Sequence, residues 1–143
     1  MEKTSSFQVK REGEDTTRGV LFFQGAFAGQ VEGSVLEGQY RCGNRYLLLT
    51  TDDIPYEETL HIFLLDEELR PLDKVSLRQM YHSGLLRDVV AGDERIEFSF
   101  FGEERWLLTV HTTAKLFMNA PFSSVKYARL GRHFLELRKV AEG

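Results

Sequence analysis

Two adjacent carboxylates, Asp52 and Asp53, are the strongest catalytic candidates in this sequence of 143 residues. They follow an apolar segment, 46–51, that is typical of a β-strand. A carboxylate pair at a strand end can supply a general acid and a general base when a concave pocket shifts the pKa values of the two groups. A histidine on a neighbouring strand could join them, and the sequence contains His61, His82, His111 and His133. One hypothesis is therefore an enzyme that uses these groups. The plainer alternative is a solvated turn with structural histidines.

Signatures of other chemistries are absent from the sequence. The glycines Gly25, Gly29 and Gly33 do not match the spacing of a nucleotide-binding loop. Ser34 lacks the glycine that a nucleophile elbow requires two positions later. Cys42, the only cysteine, lies in a strand-like segment, which favours a buried and inert thiol. No pair of histidines has the short spacing of a metal site. We predict no cofactor and no metal ligands, and these absences favour a non-enzymatic function.

Charge is distributed unevenly along the chain. Residues 52–68 contain no Lys or Arg and seven acids, which are Asp52, Asp53, Glu57, Glu58, Asp66, Glu67 and Glu68. Residues 115–143 carry six basic and two acidic residues. Acidic loops can steer a basic protein toward a binding face, although they can also serve only solubility. The net charge of −4 is opposite in sign to that of a typical nucleic-acid-binding protein, so we do not expect nucleic acid as a partner.

An apolar segment without clear alternation, residues 112–124, is predicted to be an irregular loop. It contains Phe117, Met118 and Phe122, which are side chains of the kind that enrich adaptable interfaces. The simpler interpretation is that this loop covers the open end of the core. If this loop binds a partner, Phe117, Met118 and Phe122 are partner-binding candidates together with the seven acids.

The elements that must position these residues are predicted to be strands, because apolar residues alternate with a period of two. The clearest hairpin joins 96–100 to 106–111 across a polar break at 102–105. A second joins 60–65 to a strand at 75–77, with Pro71 in the turn or on an edge. Further strands are predicted at Phe7–Glu12, Gly19–Gln24, Val35–Cys42, Tyr46–Thr51 and Leu85–Ala91. Residues 124–141 fit either a short helix or a strand, and we favour a strand over 133–140.

The predicted fold is a single mainly β domain over residues 1–143, an antiparallel sandwich or partly open barrel of about 8–9 strands. Eleven Phe residues support this prediction, because aromatic side chains suit a pleated, half-buried surface. The six glycines between 19 and 43 indicate bent strands or, alternatively, a backbone-lined ligand surface.

The leading functional hypothesis is a small cytoplasmic protein-binding module, such as an inhibitor, an immunity-type protein or an adaptor. Its expected partner is a protein, with a basic protein fitting the acidic loops. The alternative is a carrier of a small apolar ligand inside a β-barrel. The most apolar stretch, 20–28, is too short to span a bilayer, so no membrane association is expected. Homo-oligomerisation is compatible with all three hypotheses, the enzyme included, because sheet edges and an apolar loop can self-associate.

Overall fold

A computed structural model describes residues 1–54, 56–80, 82–117, 123–128 and 131–141, with the backbone alone described for Phe117. These residues form thirteen strands and no helix. The strands are β1 (Glu2–Lys3), β2 (Phe7–Glu12), β3 (Asp15–Phe23), β4 (Ala26–Glu32), β5 (Val35–Cys42), β6 (Arg45–Thr51), β7 (Thr59–Leu65), β8 (Pro71–Arg78), β9 (Arg87–Ala91), β10 (Arg95–Ser99), β11 (Arg105–Phe117), β12 (Val125–Tyr127) and β13 (Gly131–Lys139). No described helix is therefore long and apolar enough to cross a membrane.

The strands form three antiparallel sheets in a sandwich-like arrangement. A six-stranded sheet has the order β1-β5-β6-β7-β8-β12, and its four middle strands are consecutive along the chain. A four-stranded sheet has the order β13-β11-β10-β9, and a three-stranded sheet has the order β2-β3-β4. None of the three sheets closes on itself, so the arrangement is not a closed barrel.

The six-stranded sheet is covered on both faces, because successive residues of a strand point to opposite sides. On β6, Leu47 and Leu49 belong to a core shared with Phe98 and Leu108 of the four-stranded sheet. Leu48, between them, belongs to a second core shared with the three-stranded sheet. This double burial explains why β6 is apolar without a break, whereas β8 alternates between buried and partly exposed positions.

Both predicted hairpins are present. Strands β10 and β11 pair with Phe98 opposite Trp106, and Trp106, Leu108 and Val110 are all buried on one face. Strands β7 and β8 pair with Leu60 opposite Leu77, and Pro71 is the first residue of β8. Residues 131–139 form a strand, which confirms the preferred interpretation of the C-terminal segment.

Two expectations need correction. Residues 112–117 are not an irregular loop but the second half of β11, which continues past its register shift and pairs with β13. Segment 26–32, which was not predicted as a separate strand, forms β4 and is the outer strand of the three-stranded sheet. Its alternation is broken by a register shift between Phe27 and Gly29, so that Ala28 and Val31, three residues apart, both pack against the second core.

Candidate functional site

A row of polar side chains crosses one face of the six-stranded sheet. His61 on β7 lies opposite Ser76 on β8, and Ser76 lies opposite Lys126 on β12. Cross-strand partners project from the same face of a sheet, so these three side chains are neighbours. The preceding row on the same face pairs Thr59 with Arg78. This is the face that carries Phe63 and Leu65 further along β7, where the three-stranded sheet covers it.

A surface cavity of about 930 Å³ opens over this polar row. Thr17 and Arg18 of β3 and Glu32 at the end of β4 also contribute to its lining. The remaining lining residues are Asp52, Thr59, His61, Ser76, Arg78, Gln79, Met80, Ser123, Ser124 and Lys126. We call this the His61 cavity. The three-stranded sheet lines this cavity with Thr17, Arg18 and Glu32.

Asp52, His61 and Ser76 form a hydrogen-bonded chain in the His61 cavity. A carboxylate oxygen of Asp52, Oδ1, lies 2.7 Å from Nε2 of His61, and Nδ1 of His61 lies 3.2 Å from Oγ of Ser76. His61 and Asp52 are 5% and 7% exposed, so water competes weakly for these contacts. A carboxylate at one ring nitrogen favours a proton on that nitrogen, so in the neutral tautomer with the proton on Nε2 the Nδ1 atom accepts the hydroxyl hydrogen of Ser76.

Glu32 approaches the same imidazole from the wall of the cavity. Its Oε2 lies 3.4 Å from Nδ1 of His61, and its other oxygen is paired with Lys74. Burial opposes ionisation of Glu32, but the hydrogen bond from Lys74 and the charges of neighbouring groups, Lys74 first and Arg18 among the others, outweigh this effect and lower the pKa of the Glu32 carboxyl. The next residue, Gly33, has a φ of +87° and packs against Thr50, whose hydroxyl donates to the carbonyl of Glu32.

Glu58 fixes the loop that carries Asp52. Its Oε1 accepts the backbone N–H groups of Asp52 and Thr59 at 2.6 and 3.1 Å, and its Oε2 accepts that of Ile54 at 3.0 Å. Glu58 is only 6% exposed, and this burial raises the pKa of its carboxyl. Its role in the structure is therefore to close the loop and hold Asp52 at the cavity.

The seven acids of residues 52–68 do not form one exposed surface. Asp52 and Glu58 are buried, which corrects their interpretation as surface charges. Asp53 is exposed and lines a smaller neighbouring cavity. The other four acids form ion pairs: Glu57 with Arg78, Asp66 and Glu68 with Arg70, and Glu67 with Arg41. Asp52–Glu58 and Asp66–Glu68 lie at opposite ends of β7, as the sequence predicted.

The apolar candidates are described only in part. Met118 and Phe122 lie outside the described residues, and so does the side chain of Phe117. Leu116, the residue before Phe117 on β11, is 70% exposed. The structure therefore leaves the expected role of this segment as a prediction.

Sequence reasoning identified Asp52 and His61 separately but missed their partners. Ser76 was hidden because serine between Val75 and Leu77 is an ordinary outward-facing position of an alternating strand. The register of the predicted hairpin, with Leu60 opposite Leu77, would have placed Ser76 opposite His61. Nothing local indicated Arg18, Glu32 or Lys126, which reach the site through the pairing of distant strands.

The described residues contain no group of three or more His, Cys, Asp or Glu side chains arranged to hold a metal ion. Comparison of the chain with protein-family models, with curated proteins and with solved structures gave no match. The function is therefore argued from the geometry of the His61 cavity.

Proposed function

We propose that this chain binds a small anionic molecule in the His61 cavity. The observation that carries the proposal is the pair of cationic side chains, Arg18 and Lys126, that line the cavity from different sheets. Neither forms an ion pair with another described residue. Arg18 belongs to β3 of the three-stranded sheet, whereas Lys126 belongs to β12 of the six-stranded sheet.

The other charged lining residues form ion pairs, whereas Arg18 acts on Glu32 and Asp15 only through its charge, and no ion pair of Lys126 is found among the described residues. Among the remaining charged lining residues, Arg78 is paired with Glu57, Glu32 with Lys74, and Asp52 with His61. Arginine and lysine bind carboxylate and phosphate oxygens through charge-assisted hydrogen bonds. The hydroxyls of the cavity wall and of the polar row could contact the rest of such a ligand. Concave sites with a few converging polar groups are the usual location of small-molecule binding.

Titration of the ¹⁵N-labelled protein with inorganic phosphate and with succinate, at constant ionic strength, tests this proposal. We expect saturable chemical-shift changes at the amides of Ser76 and Lys126. The double variant Arg18→Gln/Lys126→Gln should weaken binding by about tenfold or more, which corresponds to the loss of about 1.4 kcal/mol. Lys3→Gln/Arg95→Gln removes the same charges from exposed positions outside the cavity and should leave binding unchanged. Shifts that do not saturate, or that are equal in both double variants, would refute the proposal.

A second candidate function is the one predicted from sequence, a small cytoplasmic module that binds a basic protein. The observation that favours it is the exposure of two large side chains, Tyr56 at 85% and Met80 at 63%, of which Met80 lines the same cavity. Asp53 is exposed in the same loop as Tyr56, and Glu57 next to Tyr56 pairs with Arg78, so this loop carries both an exposed aromatic side chain and negative charge. Tyrosine and methionine are enriched at protein interfaces, and exposed acids favour a basic partner.

Affinity capture from the source cell with four baits tests this second candidate. A basic protein recovered by the wild type and by Phe27→Ser, but not by Tyr56→Ser/Met80→Ser, would support it. Phe27 is a matched control because it is 69% exposed but lies on β4, outside the cavity lining. The variant Asp66→Lys/Glu67→Lys/Glu68→Lys tests the acidic loop at the other end of β7. Equal recovery by all baits would exclude both surfaces as the docking site.

A further inference from the structure

We infer that Ser76 is a nucleophile that hydrolyses small anionic esters, with His61 as its general base and Asp52 as the positioning residue. This inference rests on the proposed binding of an anion, because it makes the bound anion an ester substrate. The sequence gives no sign of it, since Ser76 belongs to no recognised nucleophile motif.

The geometry satisfies the first requirements of nucleophilic catalysis. The nucleophile and its base must lie within hydrogen-bonding reach, and a third group must orient the base. Ser76 Oγ is 3.2 Å from His61 Nδ1, and His61 Nε2 is 2.7 Å from Asp52 Oδ1. The imidazole nitrogens have exchanged roles relative to the usual serine–histidine–aspartate triad, in which Nε2 faces the serine. The proton path is the same with either nitrogen.

The location of the Asp52–His61–Ser76 hydrogen bonds distinguishes them from a purely structural polar network. A structural network on a sheet face is normally enclosed by the neighbouring layer. Here, His61 and Ser76 line an open cavity, and Asp52 is anchored from behind by the carboxylate of Glu58. Asp52 and His61 are buried, while Ser76 is partly exposed and lines the cavity in which a substrate would bind.

Charged groups around Ser76 indicate which ester would fit. Lys126 is the cross-strand partner of Ser76, so its ammonium lies on the same face and can stabilise an oxyanion that forms on the substrate carbonyl. Arg18, which lines the cavity from the three-stranded sheet, is available to hold a carboxylate on the acyl part of the ester. Glu32 is held in its ionised form by Lys74, and its negative charge near Nδ1 stabilises the imidazolium that forms during attack.

The reaction proceeds in two balanced steps. Ser76 Oγ adds to the ester carbonyl while its proton passes to His61 Nδ1, and the tetrahedral intermediate then releases the alcohol, which takes that proton from His61. This leaves an acyl group on Ser76. A water molecule then loses its proton to His61 and attacks the acyl carbon, and the proton returns to Ser76 as the carboxylic acid leaves. Water is the only co-reactant.

Incubation with mono-4-nitrophenyl glutarate and with the neutral ester 4-nitrophenyl butyrate tests this inference. We expect a burst of nitrophenolate with the glutarate ester, faster than with the butyrate ester, and an acyl adduct on the peptide that contains Ser76. Ser76→Ala should abolish the adduct. His61→Gln should slow acylation by about 10²–10⁴-fold, the usual contribution of a general base. Asp52→Asn should lower kcat while leaving KM for the ester unchanged. Ser83→Ala, outside the His61 cavity, should behave like the wild type.

Binding of phosphate, measured in parallel for each variant, distinguishes the two proposals and reports folding. If phosphate binds but no adduct forms, or if His61→Gln acylates as fast as the wild type, the inference is wrong and the anion-binding proposal stands. If the adduct forms at Ser76 without preference for the glutarate ester, the assignment of an anionic substrate is wrong. An adduct at a different serine refutes the role of Ser76.

Discussion

The carboxylate of Asp73 on β8 accepts a hydrogen bond of 2.9 Å from the backbone N–H of Leu135 on β13, a strand of a different sheet. The same oxygen accepts the N–H of Phe134 at 2.8 Å, and the other oxygen contacts Nδ1 of His133 at 2.9 Å. Asp73 is 3% exposed and His133 is fully buried. This single side chain therefore joins the six-stranded sheet to the four-stranded sheet through buried, charge-assisted hydrogen bonds.

Replacement of Asp73 by Ala should lower the free energy of unfolding by about 3–5 kcal/mol, because it leaves several buried donors without an acceptor. Urea unfolding followed by the fluorescence of Trp106, which is buried in the core between these sheets, measures the effect. Asp93→Ala, in an exposed turn, is the control and should change stability by less than about 0.5 kcal/mol. A loss of stability as small as that of the control would show that Asp73 does not join the two sheets energetically.

The hairpins were predictable from sequence because their alternation is local. In 106–110, every second residue is apolar and packs into one core, so the pattern alone defines the buried face. The β7–β8 hairpin has the same property on its Leu60 face. Its other face is mixed, since His61 is followed by Phe63 and Leu65, and the sequence could not show where the covering sheet ends.

The site was less predictable because its residues meet only through long-range pairing. Asp52 and His61 are nine residues apart, but their contact depends on the loop that Glu58 closes. Arg18 lies on β3 and Glu32 on β4, and these strands belong to the sheet that packs on the second core. The acidic residues of 52–68 are also close together in sequence, but the sequence does not show that some of them form separate ion pairs and others form buried hydrogen bonds.

Gly33 should tolerate no side chain. A Cβ at this position would lie 2.4 Å from Oγ1 of Thr50, and its φ of +87° also disfavours other residues. Gly13 has a φ of +61° but open space around it. Gly13→Ala should therefore cost about 1–2 kcal/mol, the backbone strain alone. Gly33→Ala should cost about 1–3 kcal/mol more, because overpacking is added to this strain.

Thermal unfolding of the two glycine variants gives the comparison. Since Gly33 follows Glu32, its substitution should also displace Glu32 from His61, which NMR of the imidazole nitrogens would detect. Equal losses of stability in the two variants would contradict the close packing of Gly33 against Thr50.

Cys42 should react slowly in the folded protein. Burial raises the pKa of its thiol, although the N-terminus and Arg45 oppose this shift, and Sγ lies 3.8 Å from the sulfur of Met1. Because the thiolate is the reactive form, we expect Ellman's reagent at pH 8 to react about tenfold or more slowly than with the chain in guanidinium chloride. An exposed thiol introduced by Ser83→Cys into Cys42→Ser provides the control. Equal rates in the folded and unfolded states would show that Cys42 is accessible.

Glu58 should make the protein less stable as the pH rises above the ordinary pKa of a glutamate. Burial raises the pKa of Glu58 from its ordinary value of 4.5, outweighing the opposing hydrogen bonds from three backbone N–H groups. The folded state therefore binds this proton more tightly than the unfolded state does. The stabilisation is complete below the unfolded pKa and is lost as the pH rises through the folded pKa.

The variant Glu58→Gln isolates this contribution, because it removes one titrating group and retains an oxygen that accepts hydrogen bonds. The free energy of unfolding of the wild type minus that of Glu58→Gln should fall between pH 4 and pH 7, measured by urea unfolding at each pH. Glu103→Gln, in an exposed turn, controls for the loss of one carboxylate. If the difference instead rises with pH, the backbone N–H groups stabilise the charge of Glu58 by more than burial costs. The loop that holds Asp52 would then be strongest where Glu58 is ionised.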